Sequence, residues 1–198
     1  IRPYLGEQKP VFIDLTEPFL LYMKVGFLAS LFLSAPFVLH QVWGFVSPGL
    51  YPRERRYAVT FIVFATVFFL LGGAFGYYVG FPVAARFLLS IADGFQPALR
   101  ISSLFGFESK IILGMALVFE LPTVVYFLAR LGLVTPSFLW RNFKYAVLII
   151  FIVAAVITPT PDVVTQCVFA APMILLYLIG ILVARVFGRS RSPIGRQP

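Results

Sequence analysis

Long apolar stretches alternate along the chain with short segments rich in charge, proline and glycine. A helix needs about 20 apolar residues to cross the roughly 30 Å hydrocarbon core of a bilayer. Five stretches approach this requirement, and we predict membrane-spanning helices at residues 19–46, 57–81, 107–129, 145–158 and 163–184, with a basic tail at 185–198. The pattern therefore predicts an all-α fold, a polytopic membrane helical bundle that forms one domain over residues 1–198.

The last two predicted spans flank the pentapeptide Thr158-Pro-Thr-Pro-Asp162. Two prolines this close together cannot continue a helix, so we expect a tight turn between antiparallel helices. The uninterrupted apolar part of the fourth span, Tyr145 to Ile157, is only about 20 Å long at 1.5 Å per residue. We therefore expect local thinning of the bilayer, or water that reaches the turn. The alternative is that the helix begins earlier, near Phe138.

Composition excludes a water-soluble fold. Of the 198 residues, 60% are hydrophobic and only 12% are charged, and the mean hydropathy is +0.94. A soluble domain carries about 25% charged residues. The single cysteine, Cys167, cannot form an internal disulfide.

The sequence has none of the common motifs for catalysis or cofactor binding. Its one histidine, His40, and its one cysteine cannot form a metal cluster, and we interpret both as interface and packing residues. We find no Ser-His-Asp arrangement, no glycine-rich phosphate loop and no paired catalytic carboxylates. We therefore expect no enzyme activity, no cofactor, no metal and no nucleic-acid partner.

The distribution of charge predicts the orientation in the membrane. One set of loops carries ten basic residues against a single acid, Glu54; the basic residues are Arg53, Arg55, Arg56, Arg130, Arg141, Lys144, Arg185, Arg189, Arg191 and Arg196. The other side is balanced, with Arg2, Lys9, Lys24, Arg86, Arg100 and Lys110 against Glu7, Asp14, Glu17, Asp93, Glu108 and Asp162. The positive-inside rule places the first set in the cytoplasm, so we expect a multi-pass protein of the inner (plasma) membrane with a cytoplasmic C-terminus.

Three short segments carry specific chemistry: Phe45-Val-Ser-Pro-Gly-Leu-Tyr-Pro-Arg-Glu-Arg-Arg56, then Phe119-Glu-Leu-Pro122, then the proline-rich turn followed by Gln166. In this order and spacing they resemble the TatC family, the polytopic receptor of the twin-arginine (Sec-independent) protein translocase. The resemblance extends from about Pro36 to about Arg185. The family has six spans, whereas this sequence shows five, so we expect that it lacks the N-terminal cytoplasmic segment and the first span.

The resemblance implies that Glu54 and Arg56 take part in recognising the arginine pair of a signal peptide, beside an apolar platform of Phe45, Pro48, Leu50 and Tyr51. The chemistry is suitable, because guanidinium groups bind carboxylates through paired, charge-assisted hydrogen bonds that lysine reproduces poorly. The alternatives are an ordinary solvated glutamate and an interfacial belt of aromatic residues.

Glu120 lies near the middle of the third span, where a carboxylate costs several kcal/mol unless it is protonated, hydrogen-bonded or hydrated. Pro122 lacks an N–H for the carbonyl of Val118, so we expect a kink and a polar notch there. The resemblance implies that this glutamate faces a groove and contributes to binding or transport. The alternative is a structural hydrogen bond to a neighbouring helix.

Polar side chains of Thr158, Asp162 and Gln166 lie at the outer turn, and the last two share one helix face because they are four residues apart. The resemblance implies that this region contacts the single-span partners TatA and TatB. The alternative is that Asp162 caps the final helix.

The resemblance thus implies a receptor and scaffold, embedded in the lipid bilayer as a homo-oligomer within a larger complex. It would bind twin-arginine signal peptides of folded cargo proteins and assemble TatA and TatB for transport. An ion-coupled secondary transporter with Glu120 as the proton site is the alternative, although such proteins usually show internal repeats that this sequence lacks. An intramembrane protease would need catalytic residues within spans, and we see none.

Overall fold

A computed structural model describes residues 11–46, 58–92, 100–130, 132–158 and 162–187. Within these ranges the fold is helical, and its single β-type contact is an isolated bridge between Val11 and Arg100. In chain order the helices are α1 (Glu17–Val46), α2 (Ala58–Phe75), α3 (Phe81–Ile91), α4 (Ile101–Val118), α5 (Leu121–Arg130), α6 (Pro136–Arg141), α7 (Phe143–Ile157) and α8 (Val163–Phe187).

Four helical units of the described part are long and apolar enough to cross a membrane, and α7 is a shorter apolar helix. The predicted polytopic all-α bundle is therefore confirmed. The unit that includes predicted span 57–81 continues to Ile91, because a π-helical turn at Gly76–Gly80 joins α2 to α3 without ending the helix. The unit that includes predicted span 107–129 begins earlier, at Ile101.

The fourth predicted span corresponds to α7, whose 15 residues extend about 22 Å at 1.5 Å per residue. Asn142 separates α7 from the short helix α6 and donates its side-chain N–H to the carbonyl of Phe138 at 2.8 Å. The chain therefore forms helix as far back as Pro136, but with a break. Since α7 alone is shorter than the hydrocarbon core, we still expect local thinning of the bilayer at this helix, and this stays a prediction.

Glycines bring α2 and α4 into close contact. A Cβ atom on Gly72 would lie 2.6 Å from the carbonyl oxygen of Met115 and 2.7 Å from the Cα of Ala116. A Cβ on Gly76, one turn further along, would lie 2.8 Å from the Cα of Ile112. Small residues permit this approach of two helix backbones, which is how helices associate tightly in a lipid environment.

The main apolar core lies where α4 meets α7 and α8. Its most buried large side chains are Ile111 and Met115 of α4, with Phe169 and Met173 of α8. A second, smaller core lies at the other end of the bundle and joins α5, α6 and α8 through Val125, Ala129, Leu139 and Ala184. This second core fixes α6 against the C-terminal part of α8.

An ion pair joins the beginnings of α1 and α4. The guanidinium of Arg100 contacts the buried carboxylate of Glu17, and its Nη2 lies 3.3 Å from Oδ2 of Asp14. The N–H of Ile101 also donates to the carbonyl of Val11 at 3.0 Å. Negative partners hold the pKa of Arg100 above its ordinary value. We call this contact the outer ion pair, because the charge distribution assigns this end to the outer side of the membrane.

Candidate functional site

Most of the residues predicted to bind a signal peptide lie outside the described part of the structure. These are Pro48, Leu50, Tyr51, Glu54 and Arg56. Phe45 lies in the last turn of α1. Segment 47–57, which contains Glu54, connects the end of α1 with the start of α2. The positions of these two helix ends therefore fix where the segment begins and ends.

An aromatic cluster of Trp43, Phe61 and Phe127 holds these helix ends together. The ring centroid of Trp43 lies 4.9 Å from that of Phe61 and 5.5 Å from that of Phe127. Trp43 is only 7% exposed. The cluster thus joins α1, α2 and α5 at the predicted cytoplasmic side. Sequence reasoning did not identify Phe61 or Phe127, because their spacing is that of any apolar helix.

Glu120 lies at a break in the third span. Helix α4 ends at Val118 and α5 begins at Leu121, so Glu120 is in the turn between them, two residues before Pro122. Its N–H donates to the carbonyl of Leu117 at 3.1 Å, a tighter pattern than an α-helix makes. The helix is thus interrupted just before Pro122, where the sequence predicts a kink.

The Glu120 carboxylate is incompletely satisfied. Its Oε1 is buried without a hydrogen-bond partner in the described structure, and so are the hydroxyls of Thr123 and Thr66. Thr66 lies in α2 between Gly72, which packs near Phe119, and Phe61 of the aromatic cluster. Antiparallel packing therefore brings Thr66 to about the depth of Thr123.

Buried oxygens of Glu120, Thr123 and Thr66 that lack partners lie at about the same depth within the span, and we refer to these three groups as the polar region. Each such group costs about 1–3 kcal/mol when it is buried unpaired. The arrangement can receive water or a polar group from another molecule. Sequence reasoning found Glu120 but missed both threonines, because a hydroxyl in an apolar helix can bond its own backbone and so gives no signal of a site.

At the outer turn, each of the three predicted polar residues makes a hydrogen bond, and the bond of Gln166 joins α8 to α7. The Thr158 hydroxyl donates to the carbonyl of Ala154 at 2.9 Å. Oδ1 of Asp162 accepts from the N–H of Thr165 at 2.6 Å, and the Gln166 side-chain amide donates to the carbonyl of Phe151 at 2.9 Å. The predicted capping role of Asp162 is therefore confirmed, while contact with partner proteins stays a prediction.

Replacing Asp162 by alanine is expected to lower the free energy of unfolding by about 1 kcal/mol, because the first turn of α8 loses its acceptor. Asparagine caps a helix about as well as aspartate, so Asp162→Asn should retain the wild-type stability. Unfolding titrations of the purified protein in detergent micelles measure both variants. If asparagine lowered the free energy of unfolding as much as alanine does, the negative charge of Asp162, and not its hydrogen bond as a helix cap, would be the source of the stabilisation.

Glu108, like Glu17, is a buried carboxylate whose burial was not recognised from the sequence. Sequence reasoning counted Glu108 among the outer charges, but Glu108 lies two turns inside α4 and is 4% exposed. Its position follows from the early start of α4 and from a helical spacing of three to four residues to Phe105, Ile111 and Ile112, which are buried on the same face. That periodicity could have been read from the sequence.

The residues that the structure describes contain no group of three or more His, Cys, Asp or Glu side chains that could hold a metal ion. The polar groups assembled there are suited to hydrogen bonding and charge recognition.

Comparison with known proteins agrees with the three motifs. Residues 1–172 match the family model described as Sec-independent protein translocase protein (TatC). A protein named Sec-independent protein translocase protein TatC from Koribacter versatilis is 50% identical over 178 residues, which cover 90% of this chain and 66% of that protein. The protein of the same name from Desulforapulum autotrophicum is 44% identical over 190 residues, covering 95% and 70%. This chain thus spans about two thirds of the length of these relatives.

Solved structures give the same result for the fold. The crystal structure of a twin-arginine translocase receptor, TatC, is 31% identical in sequence and superposes with a TM-score of 0.77, covering 94% of this chain and 82% of that one. A structure of the receptor in the detergent DDM gives a TM-score of 0.78 at the same identity, covering 92% and 80%.

Proposed function

Because this chain belongs to the TatC family of Sec-independent protein translocase proteins, we propose that it binds twin-arginine signal peptides at the cytoplasmic face and assembles single-span partners for the transport of folded proteins. It is a multi-pass protein of the inner membrane. In this role it acts as a receptor and scaffold, not as an enzyme. Its partners are the signal peptides, TatA- and TatB-type proteins and further copies of the chain.

The observation that carries the proposal is the aromatic cluster of Trp43, Phe61 and Phe127. It fixes two helix ends side by side, and the segment between them contains Glu54, the single acid among the predicted cytoplasmic charges. A carboxylate suits the recognition of two adjacent guanidinium groups, because each pairs with it through directed hydrogen bonds. Arg56, Phe45, Pro48, Leu50 and Tyr51 are proposed to complete this site.

Glu120 and Pro122 are proposed to act after the peptide has bound. The unsatisfied Oε1 of Glu120, with the hydroxyls of Thr66 and Thr123, offers a hydrogen-bonding region within the span to a polar group of a partner helix. Thr158, Asp162 and Gln166 are proposed to contact the single-span partners at the outer turn. Their hydrogen bonds cap the end of α7 and the start of α8, and the bond of Gln166 joins the two helices.

A photocrosslinking experiment tests the peptide site. A photoreactive phenylalanine analogue at Tyr51 should capture a twin-arginine peptide, and a twin-lysine peptide about tenfold less, because lysine cannot make the paired bonds of guanidinium. Glu54→Gln should reduce capture of the twin-arginine peptide about ten- to a hundredfold, since a hydrogen bond to a charged group contributes about 1.5–3 kcal/mol. Yields are measured by labelled peptide on gels.

Asp14→Asn is the matched control, because it also removes one carboxylate charge but at the outer end, where Asp14 is exposed. Capture by this variant should equal capture by the wild type. Equal capture of the two peptides by the wild-type protein, or no effect of Glu54→Gln, would contradict the proposed receptor function.

A further inference from the structure

A cavity of about 770 Å³ lies between α6 and the C-terminal part of α8. It is separate from the outer hairpin, because α6 precedes α7 and this part of α8 lies at the end that the charges assign to the cytoplasm. The residues that define its chemistry are Ser137, Trp140, Arg141, Leu178, Leu182 and Arg185.

Two arginines of this cavity have no acidic counterpart among the residues that the structure describes. Arg141 is the last residue of α6 and Arg185 lies in the last turn of α8, and neither forms an ion pair or hydrogen bond with any other residue that the structure describes. Two positive charges beside one cavity repel each other, so the cavity favours an anion between them. Guanidinium groups bind phosphate through paired, charge-assisted hydrogen bonds.

The remaining wall is apolar and faces outward. Leu182 is 61% exposed, Trp140 is 64% exposed, and Leu178 lies one helical turn before Leu182 on the same face of α8. Apolar side chains at this position contact acyl chains, and tryptophan is typical of the headgroup level of a membrane. A soluble phosphate would use the arginines but leave this wall without a partner.

The position of α6 is fixed independently of any ligand. Thr135 caps α6 by accepting from the N–H of Phe138 at 3.2 Å, and the hydroxyl of Tyr177 in α8 donates to the carbonyl of Leu139 at 2.9 Å. Leu139 is buried in the second core, so the neighbouring Trp140 and Arg141 point away from it. The cavity is therefore a preformed feature, which lowers the entropic cost of binding.

We propose that this cavity binds one anionic phospholipid of the cytoplasmic leaflet. Arg141 and Arg185 hold the phosphate, the hydroxyl of Ser137 and the indole N–H of Trp140 are further donors for the headgroup, and the first acyl carbons lie along Leu178 and Leu182. Basic pockets between transmembrane helices at the cytoplasmic side are known to bind such headgroups, and the volume is within the usual range of ligand cavities. The lipid would join α6 to α8 and support the short helix α7 that follows.

Native mass spectrometry of the whole chain, released from micelles with equal amounts of phosphatidylglycerol and phosphatidylcholine, tests the proposal. The wild-type protein should retain one phosphatidylglycerol in preference to phosphatidylcholine. The double variant Arg141→Gln with Arg185→Gln should bind phosphatidylglycerol about 25-fold more weakly, because each basic residue near the surface contributes about a factor of five. Lys24→Gln with Lys110→Gln removes two exposed charges elsewhere and should bind as the wild type does.

Three results would overturn the proposal. They are equal retention of both lipids by the wild type, undiminished retention by the arginine double variant, and displacement of the lipid by glycerol phosphate at equal concentration, which would identify a site for soluble phosphate. If the double variant did not fold, Ser137→Trp would decide, because Ser137 is exposed and tryptophan fills the cavity while both arginines remain. This folded variant should lose the lipid, and undiminished retention would also overturn the proposal.

Discussion

Export of folded cargo is expected to fall at least about a hundredfold when Glu120 is replaced by alanine, while binding of twin-arginine peptides stays within about twofold of wild type. The two activities separate because Glu120 lies in the turn between α4 and α5, inside the span, whereas the proposed peptide site is on the segment that joins α1 and α2. Quantitative export assays in membrane vesicles and the crosslinking assay measure the two effects.

The size of this effect follows from the polar region that Glu120 forms with Thr66 and Thr123. Their buried oxygens lack partners in the described structure, so a partner's polar group that bonds them removes the cost of leaving them unsatisfied. Removing the carboxylate eliminates the strongest acceptor of this region. Contacts that depend on it would be lost from the assembled state, and the isolated protein would lose little stability.

Glu120→Gln distinguishes a hydrogen-bonding role from a proton-carrying role. Glutamine retains the shape of the side chain and an acceptor oxygen, but its amide cannot bind and release a proton at physiological pH. If Glu120 contacts a partner helix, we expect Glu120→Gln to retain at least about a tenth of wild-type export. An ion-coupled transporter with Glu120 as its proton site would lose activity as completely with glutamine as with alanine. If the Glu120→Ala variant exported cargo as well as the wild type, Glu120 would be only a packing residue.

The second large effect is expected from Gly72→Leu, which should destabilise the folded protein by about 3 kcal/mol or more. The new Cβ would approach the carbonyl oxygen of Met115 to 2.6 Å and the Cα of Ala116 to 2.7 Å. Both are backbone atoms of α4 and cannot rotate away as a flexible side chain can. Helix α2 would have to move outward, and the aromatic cluster at its beginning would open. Unfolding titrations in mixed detergent micelles measure the change.

Gly26→Leu is the matched control, because a Cβ at Gly26 of α1 would meet nothing within 4 Å. The substitution is chemically identical, and a leucine has a higher helix propensity than glycine by about 0.8 kcal/mol. We therefore expect Gly26→Leu to be neutral or slightly stabilising. Equal destabilisation by the two variants would show that the contact between α2 and α4 is not the source of the effect.

The sequence predicts those parts of the fold that depend on local chemistry. Pro159 and Pro161 require a turn, and the hairpin of α7 and α8 forms on either side of it. Pro122 cannot donate to Val118, and the third span is interrupted beside it. Asp162 is followed by an apolar helix, and it caps that helix. In each case the cause and the effect lie within a few residues.

Contacts between distant parts of the chain could not be predicted in the same way. Nothing near Phe61 indicates that it meets Trp43 and Phe127, because apolar residues occur on every face of these helices. The π-helical turn at Gly76–Gly80 was missed because its glycines indicate close packing without specifying the hydrogen-bond pattern. The peptide site was inferred from the resemblance of its motif, and the roles of its residues stay predictions.

The outer ion pair has a consequence for how the chain is inserted during synthesis. Arg100 and Glu17 begin two helices that run in the same direction, and they are 83 residues apart. They can meet only after the intervening α2–α3 unit has crossed the bilayer in the opposite sense. A nascent chain with one inverted helix would leave the two charges on opposite leaflets, each without its partner. The contact can therefore form only in correctly threaded molecules, and a misthreaded chain would lack this link between α1 and α4.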